Sequence, residues 1–351
     1  MHLARSVAAL SEQCNLGLLT HESVPRGTEA DRIAGGRWLA RRFGEPLPAA
    51  RVMVTNGTQS AILILLRRLV GHDGLLVAER LSYGPLRLLA QIAGVRVHGL
   101  DIDADGVVPD AFEAACRSLR PRALYLNPTV QNPTTAVMPT QRRADIADIA
   151  RRYEVAIIED DALGGLHLDA PKPIAALAPD CTWYVMTTTK CLSHGLRLAY
   201  LVAPSPAEAD RVIGPVEHLS YWHPAPLLAA MVRHWIDTGV ADQIAQSIRA
   251  ECVAREAAAR EILAGLQMES KPGSMHIWLR LPEHWSSREF MSVAERHGVL
   301  LRSSELFAVD EQPTPNAARL SLSTPHSLEA VRRGLERVRV IAEQSGSHGS
   351  F

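Results

Sequence analysis

The sequence predicts an α/β protein with a mostly parallel central sheet flanked by helices, plus a smaller C-terminal α/β domain. Three observations carry that expectation. From about residue 50 to about residue 205, short β-rich runs alternate with amphipathic helical stretches. The last hundred residues change texture, with fewer strands set between longer helices. A chain of 351 residues is also long enough to bury one large core and a second, smaller one.

Residues 1–45 form an N-terminal segment expected to pack near the functional site. Within it "TEADRIAGGRWLARRFG" (28–44) reads as a helix with Thr28 as N-cap, although Gly35 and Gly36 weaken the pattern. The large domain, 46–240, holds the runs "RVMVT" (51–55), "LLVAE" (75–79), "VRVHGLD" (95–101), "ALYLN" (123–127), "VAIIED" (155–160), "TWYVMTTT" (182–189) and "RLAYLVAP" (197–204). Helices such as "QSAILILLRRLVG" and "TQRRADIADIARRY" lie between them; in the second, Ile146, Ile149 and Tyr153 recur at helical spacing. Pro224 and Pro226 break the pattern ahead of a mainly helical run, 228–266. The small domain, 241–343, carries "MHIWLRL" (275–281), "VLLRS" (299–303) and "ARLSLS" (318–323) between helices 286–297 and 326–343. The tail 344–351 has the composition of a disordered end.

Composition excludes several classes. With 47% hydrophobic and 21% charged residues and a formal net charge of -1, the chain has no global attraction to nucleic acid or anionic membranes. The five cysteines show no CxxC spacing and are odd in number, so neither a zinc site nor a disulfide framework is suggested and a cytoplasmic setting is expected. No secretory signal and no run of 18 apolar residues occurs.

In open α/β sheets ligands bind beyond the carboxyl ends of the strands. After "RVMVT" comes "NGTQS" (56–60), where backbone N–H groups at a helix start and the Thr58 hydroxyl make either a phosphate seat or simply a well-capped turn. "NPTVQNPTT" (127–135) fixes two asparagines ahead of prolines, which aims an amide or makes an ordinary polar loop. "IIEDDALGG" (157–165) sets three carboxylates at an apolar strand end, open to metal or acid–base work or to one buried carboxylate facing a cationic ring nitrogen. No clear ligand spacing accompanies them, so no metal is expected.

"TTTKCLSHGLRLAY" (187–200) holds Lys190, one of only three lysines among 37 Lys plus Arg. Lys172 and Lys271 sit beside prolines in turns, whereas Lys190 ends a β-rich run. A strand-end lysine is ordinarily a surface lysine; a buried one becomes a nucleophile able to form an imine. Arg197 has the planar fork that suits a phosphate, with Thr187 and Thr189 able to add hydrogen bonds. In order along the chain, a phosphate turn, a fixed Asn, a strand-end Asp and a lysine followed by an arginine describe what pyridoxal 5'-phosphate needs.

On these residues the sequence resembles a fold-type I pyridoxal-phosphate enzyme of the class I/II aminotransferases. It is most similar to the branch that includes the aminotransferase-like domains of MocR-type regulators and the aminoadipate-type aminotransferases. The resemblance spans roughly 25–340, with "TTTKCLSHGLRLAYLVAP" as its strongest signature. It implies that Lys190 forms the Schiff base and moves the substrate Cα proton, and that Asp160 pairs with the pyridine nitrogen. It further implies Asn132 at O3', Gly57, Thr58, Gln59, Thr187, Thr189 and Arg197 around the phosphate, and Tyr83 stacked on the ring. Arg319 in "NAARLSLS" is the candidate for the substrate α-carboxylate. The sequence departs from the branch at Ala162 and Leu163, near where relatives often carry a tyrosine, and at Thr135 and Ala199, where glycine is usual. The 40-odd residues ahead of the first strand are too few for the winged-helix domain of the regulators.

The implied function is transfer of an amino group between an amino acid and a 2-oxo acid, in a homodimer of the kind in which such sites are built. Two alternatives stand beside it: an amino-acid sensing domain with little turnover, and another pyridoxal-phosphate reaction such as a lyase or decarboxylase. Arg26, in "NLGLLTHESVPRG" (15–27), and Trp222 are expected near the site, with that segment covering it.

Overall fold

A computed structural model describes residues 2–13 and 24–344. The tail 345–351, and most of the segment expected to cover the site, lie outside the described residues.

The first sheet has seven strands: β1 (Val52–Thr55), β2 (Leu75–Glu79), β3 (Arg96–Leu100), β6 (Ala123–Leu126), β7 (Ala156–Asp160), β8 (Thr182–Thr187) and β9 (Ala199–Val202). A two-stranded ribbon, β4 (Ile102–Asp103) with β5 (Gly106–Val107), follows β3. The spatial order is β1-β9-β8-β7-β6-β2-β3. The pairs from β3 through β8 are parallel, and only β9 runs antiparallel to both its neighbours. The sheet is therefore mostly parallel, with β1 running in the same sense as β8.

Side chains alternate across this sheet with the period of two that a strand imposes. Met53, Tyr125, Ile158, Trp183 and Leu201 enter one core with the helices Thr58–Leu65, Leu86–Ala93 and Pro206–Ile213. On the other face Val52, Val54, Tyr184, Met186 and Tyr200 pack against helices Glu29–Phe43 and Pro226–Asp237. Leu124, Leu126 and Ile157 meet helices Pro109–Leu119 and Thr140–Arg152. Both faces are covered, which is why the runs read as continuously apolar.

The expected helix at 28–44 forms over Glu29–Phe43, opened by a capping box between Thr28 and Asp31 and closed by Gly44 at φ 91°. Its two glycines serve packing. A Cβ on Gly35 would lie 2.4 Å from the Tyr200 ring, and one on Gly36 would lie 2.3 Å from the Leu47 carbonyl oxygen. The helix expected after β1 runs from Thr58 to Leu65 and widens into a π-helical turn, Leu66–Val70. The run 228–266 divides into helices Pro226–Asp237 and Val240–Ile262, because Gly239 is left-handed at φ 75°.

The second sheet is antiparallel, with β10 (Met268–Glu269), β11 (His276–Arg280), β13 (Ala317–Ser321) and β12 (Arg302–Ser303) in the order β10-β11-β13-β12. Ile277, Leu279, Ala318 and Leu320 face helices Ser287–Arg296 and Leu328–Glu343. Alternation sends His276, Trp278, Ala317 and Arg319 to the opposite face, where Trp278 and Ala317 pack with Leu81 and Phe307. That face closes over the carboxyl ends of the first sheet.

Candidate active site

The carboxyl ends of β1, β6, β7 and β8 open into one cavity of about 670 Å³. Eleven of the residues singled out in the sequence line it: Gly57, Thr58, Gln59, Tyr83, Asn132, Asp160, Thr187, Thr189, Lys190, Arg197 and, from the second sheet, Arg319. Residues separated by more than 250 positions in the chain are brought together by strand direction alone.

At the end of β1 the backbone turns through Gly57, at φ 83°, straight into the helix that begins at Thr58. That helix start has no side-chain cap, so its first N–H groups keep their donor capacity. A Cβ on Gly57 would meet nothing within 4 Å, which leaves an open cradle. Gln59 Nε2 donates to Tyr83 Oη at 3.0 Å, tying the aromatic ring to this turn.

β7 delivers Asp160, 4% exposed. Tyr125 Oη donates to Asp160 Oδ2 at 2.7 Å, and Asn127 Nδ2 donates to the Asp160 carbonyl at 3.0 Å. Asp160 Oδ1 is buried with no partner. Burial pushes the Asp160 carboxyl up to about 6, and the Tyr125 hydrogen bond holds it from rising further. Behind it Glu79 is wholly buried; burial pushes its carboxyl up to about 8 although the Asn127 backbone N–H donates to Oε2 at 3.0 Å.

The next residue, Asp161, faces away into a structural cluster. Arg42 Nε donates to Asp161 Oδ2 at 2.9 Å and Tyr184 Oη donates to the same oxygen at 2.7 Å. The remaining Arg42 N–H groups hold the carbonyls of His167, Ala170 and Pro171. The third carboxylate, Glu159, accepts from the Ile174 and Ala175 N–H groups and pairs with buried Arg143. Of the three carboxylates in "EDD", one faces the cavity and two hold the fold.

β8 stops at Thr187, two residues sooner than its apolar run suggested, and the chain turns through Thr188–Lys190. The Thr187 and Thr189 hydroxyls stand 2.8 Å apart at the cavity edge. Lys190 is half-buried, and burial followed by the Arg319 charge holds its ammonium below the ordinary lysine range. Arg197 lies ahead of β9 rather than in it, exposed toward the cavity and, among the described residues, in no ion pair with a carboxylate. Asn132 lines the cavity with a buried, unpartnered Oδ1, and the Asn132–Pro133 bond is cis.

Two expectations are corrected. Trp222 is fully buried, its indole donating to the Val216 carbonyl at 2.8 Å, and Arg26 pairs with Asp210 and Glu217; neither lines the cavity. Conversely Tyr125, His276 and Arg302 reach the site or its lining without having been singled out in the sequence, and Asn127, the first of the two proline-fixed asparagines, lines it as well. Of the departures, Thr135 adopts φ 65°, a conformation that favours glycine, while Ala162 and Leu163 give the cavity an apolar wall.

The residues fit pyridoxal 5'-phosphate. The uncapped helix start and Arg197 suit its phosphate, the orphaned Asp160 Oδ1 its ring nitrogen, Asn132 its phenolic oxygen, and the depressed Lys190 amine its aldehyde.

Fold and cavity define a fold-type I pyridoxal-phosphate protein. Residues 37–338 match the model of the aminotransferase class I and II family, and the chain belongs to that family. It is 28% identical over 301 residues to an HTH-type transcriptional regulator of Bacillus subtilis, YdeF, covering 86% of this chain and 65% of that protein. The chain thus spans just under two thirds of that relative's length. It is 23% identical to an aromatic-amino-acid aminotransferase of Thermococcus litoralis, covering 88% of this chain and 76% of that one. The fold superposes on the alpha-aminoadipate aminotransferase LysN of Thermus thermophilus, complexed with N-(5'-phosphopyridoxyl)-L-leucine, with a TM-score of 0.84 at 22% identity, covering 97% of this chain and 88% of that one.

Proposed function

We propose that this protein is a pyridoxal-phosphate-dependent aminotransferase that moves an amino group between an amino acid and a 2-oxo acid. The observation that carries the reading is Lys190 held with a depressed pKa in the same cavity as Asp160 and Arg319. Pyridoxal 5'-phosphate, when bound, supplies an aldehyde and an electron-withdrawing ring that takes up negative charge from the amino acid's Cα. Arg319 holds the α-carboxylate through its planar fork and so fixes the orientation of the Cα–H bond. Lys190 Nζ takes the proton from Cα, which requires a neutral amine at working pH. Asp160 keeps a negative charge beside the ring nitrogen, and Gly57, Thr58, Thr187, Thr189 and Arg197 hold the phosphate.

The chain divides functionally into a cofactor-binding unit, 46–240, and a substrate-closing unit, 241–343. The protein works as a cytoplasmic homodimer; Leu88 (58% exposed) and Leu306 (48% exposed) at the cavity rim supply apolar surface for a second copy to cover. Purified protein titrated with pyridoxal 5'-phosphate should absorb near the visible edge, and an amino donor should bleach that band while releasing the 2-oxo acid. Unchanged turnover in Lys190→Ala sinks the reading. A sensing role is the second reading, favoured by the regulator relative and by the apolar wall at Ala162 and Leu163. It is recognised by a stoichiometric spectral change without continuing release of 2-oxo acid.

A further inference from the structure

In the aminotransferase reading, on which this inference rests, Arg319 orients the substrate, so its own guanidinium must be held. Arg319 stands in the middle of β13 and lines the cavity. Its Nε is buried with no hydrogen-bond partner, and among the described residues no hydrogen bond holds the rest of its guanidinium. The Phe307 ring centroid, 6.0 Å from the guanidinium carbon, gives it a flat aromatic neighbour but no directed acceptor.

A complementary unpartnered atom lies on the same face of the same sheet. His276 in β11 is wholly buried and also lines the cavity. The register sets Trp278 opposite Arg319 and His276 opposite Ser321, so His276 and Arg319 are diagonal neighbours. Diagonal positions on an antiparallel pair are about 7–8 Å apart, within reach of a long side chain and an aromatic one. His276 Nε2 lies 3.2 Å from the Gln131 carbonyl oxygen. A carbonyl only accepts, so Nε2 carries the proton and Nδ1 presents a lone pair. Nδ1 is buried with no partner. Burial, and then the Arg319 charge, push the imidazole well below the ordinary histidine range, which keeps that lone pair free of a proton.

A buried donor without an acceptor and a buried acceptor without a donor are each costly, and here they are neighbours. Among the described residues lining the cavity, the other unpartnered acceptors, on Asn127, Asn132 and Asp160, stand at the carboxyl edge of the first sheet. The far end of the imidazole is also firmly anchored. Gln131 Nε2 donates to the Leu81 carbonyl at 2.6 Å and its Oε1 accepts from the Thr134 N–H at 2.8 Å, which fixes the residue whose carbonyl holds His276.

We propose that His276 is the positioning residue for Arg319: as a carboxylate arrives, Arg319 Nε–H donates to His276 Nδ1 and the two terminal NH2 groups grip the carboxylate. A guanidinium offers two edges for bidentate contact, one made of Nε with a terminal nitrogen and the other of both terminal nitrogens. Engaging Nε on the imidazole assigns the terminal edge to the substrate. The bare lone pair at Nδ1 also turns a carboxylate away from the imidazole and toward the guanidinium, since two acceptors make no hydrogen bond.

The test uses the cofactor-loaded protein and butyrate, an unreactive monocarboxylate, titrated calorimetrically. Two carboxamide side chains separate the roles of the ring nitrogens: asparagine places an oxygen where Nδ1 stood, and glutamine places an amide nitrogen where Nε2 stood. His276→Gln should weaken butyrate about ten-fold or more, the effect of losing a hydrogen bond from a charged donor, and His276→Asn should recover most of that affinity. In an Arg319→Lys background, which has no Nε–H, His276→Gln should cost nothing further. In amino-donor assays the loss in His276→Gln should fall on KM more than on kcat. Apoprotein affinity for pyridoxine 5'-phosphate, which has no carboxylate, should be unchanged in every His276 variant, showing that the site is folded. Native butyrate affinity in His276→Gln, equal losses in the Asn and Gln variants, or a loss that persists in Arg319→Lys overturns the assignment. Weakened pyridoxine 5'-phosphate binding overturns it too, since the imidazole would then serve the Gln131–Asn132 loop rather than Arg319. Butyrate binding that follows the expected pattern, with no amino donor altering the cofactor spectrum, supports the positioning role and overturns the transaminase reading instead.

Discussion

Replacing Tyr125 by Phe isolates the contact that sets the charge on Asp160. The phenol is wholly buried and donates to Asp160 Oδ2 at 2.7 Å, while Oδ1 has no partner. Phe keeps the ring packed among its neighbours in β6 and removes the donor to Asp160 together with a long contact in which Tyr125 Oη accepts from Asn127 Nδ2 at 3.4 Å, leaving Asn127 bonded to the Asp160 backbone carbonyl. A hydrogen bond to an ionised group is worth about 1.5–3 kcal/mol, or about 1–2 pKa units. The Asp160 carboxyl, at about 6 in the native chain, should therefore titrate about 1–2 units higher in the variant. The sign is fixed: the hydrogen bond favours the carboxylate, so its loss raises the pKa and extends protonation upward in pH. At pH 7 the native carboxylate is mostly ionised, whereas about half or more of the variant's is neutral. The assay is the affinity for pyridoxine 5'-phosphate, which has no aldehyde and so leaves Lys190 chemistry out, followed by tryptophan quenching from pH 5 to 9. Ligand titrations are common to both proteins, so the difference between their profiles reports Asp160. As pH is lowered, affinity should begin to fall at a pH about one unit or more higher in Tyr125→Phe than in the native chain. Superimposable profiles would refute the claim that Tyr125 tunes the carboxylate.

Other perturbations test the scaffold. Arg42→Met leaves the buried Asp161 carboxylate without its cation and frees three loop carbonyls; it should lower stability by about 3–5 kcal/mol, read as a drop in the urea midpoint. Glu79 binds a proton in the folded state up to about pH 8 that an unfolded carboxylate releases near pH 4.3, so folding free energy is lost as pH rises between those values. Between pH 6 and 8 the apoprotein should lose about 1–3 kcal/mol more than Glu79→Gln does in urea melts, and parallel pH profiles would dismiss a protonated Glu79. Gly36→Ala drives a Cβ to 2.3 Å from a backbone oxygen that has no freedom to rotate away. Despite the higher helix propensity of alanine, it should lower the thermal midpoint by several degrees.

What could be read in the sequence is what lies close together along the chain. Lys190 and Arg197 occupy one stretch between β8 and β9, and Gly57 and Thr58 one strand-to-helix turn, so their order in the chain offered them as candidates and the family resemblance implied their roles. That the runs build one mostly parallel sheet, with polar residues gathered at its carboxyl edge, followed from their alternation with helices; the spatial order of the seven strands did not. Relations across strands left no local signal. Gly35 and Gly36 weakened the helix pattern because their reason, contact with Tyr200 and Leu47, lies in distant segments. Tyr125 looked like an apolar strand residue, and its hydroxyl acquired a role only when β6 and β7 came into register. Arg302 was one arginine among many until β12 paired with β13. Trp222, expected near the site, gave no local sign that its indole N–H had a carbonyl to bond in the core.

The lysine is where local and non-local information meet. Lys172 and Lys271 are exposed in their turns, as their proline neighbours suggested, and only Lys190 is withdrawn from water. The same surroundings act on Lys190 and on Arg319: both are pushed down by burial and by a neighbouring cation. The outcomes differ because the starting points differ. A guanidinium lowered to about 10 is still a cation at pH 7 and can hold a carboxylate permanently. An ammonium starting near 10.4 and lowered likewise has a neutral form within reach, with a lone pair for carbon or for a proton. Lys190→Arg should therefore fold and still take up pyridoxal 5'-phosphate, yet show neither the covalent absorption band nor exchange of the substrate Cα proton into deuterated water. Retained proton exchange in that variant would mean that another base serves the site.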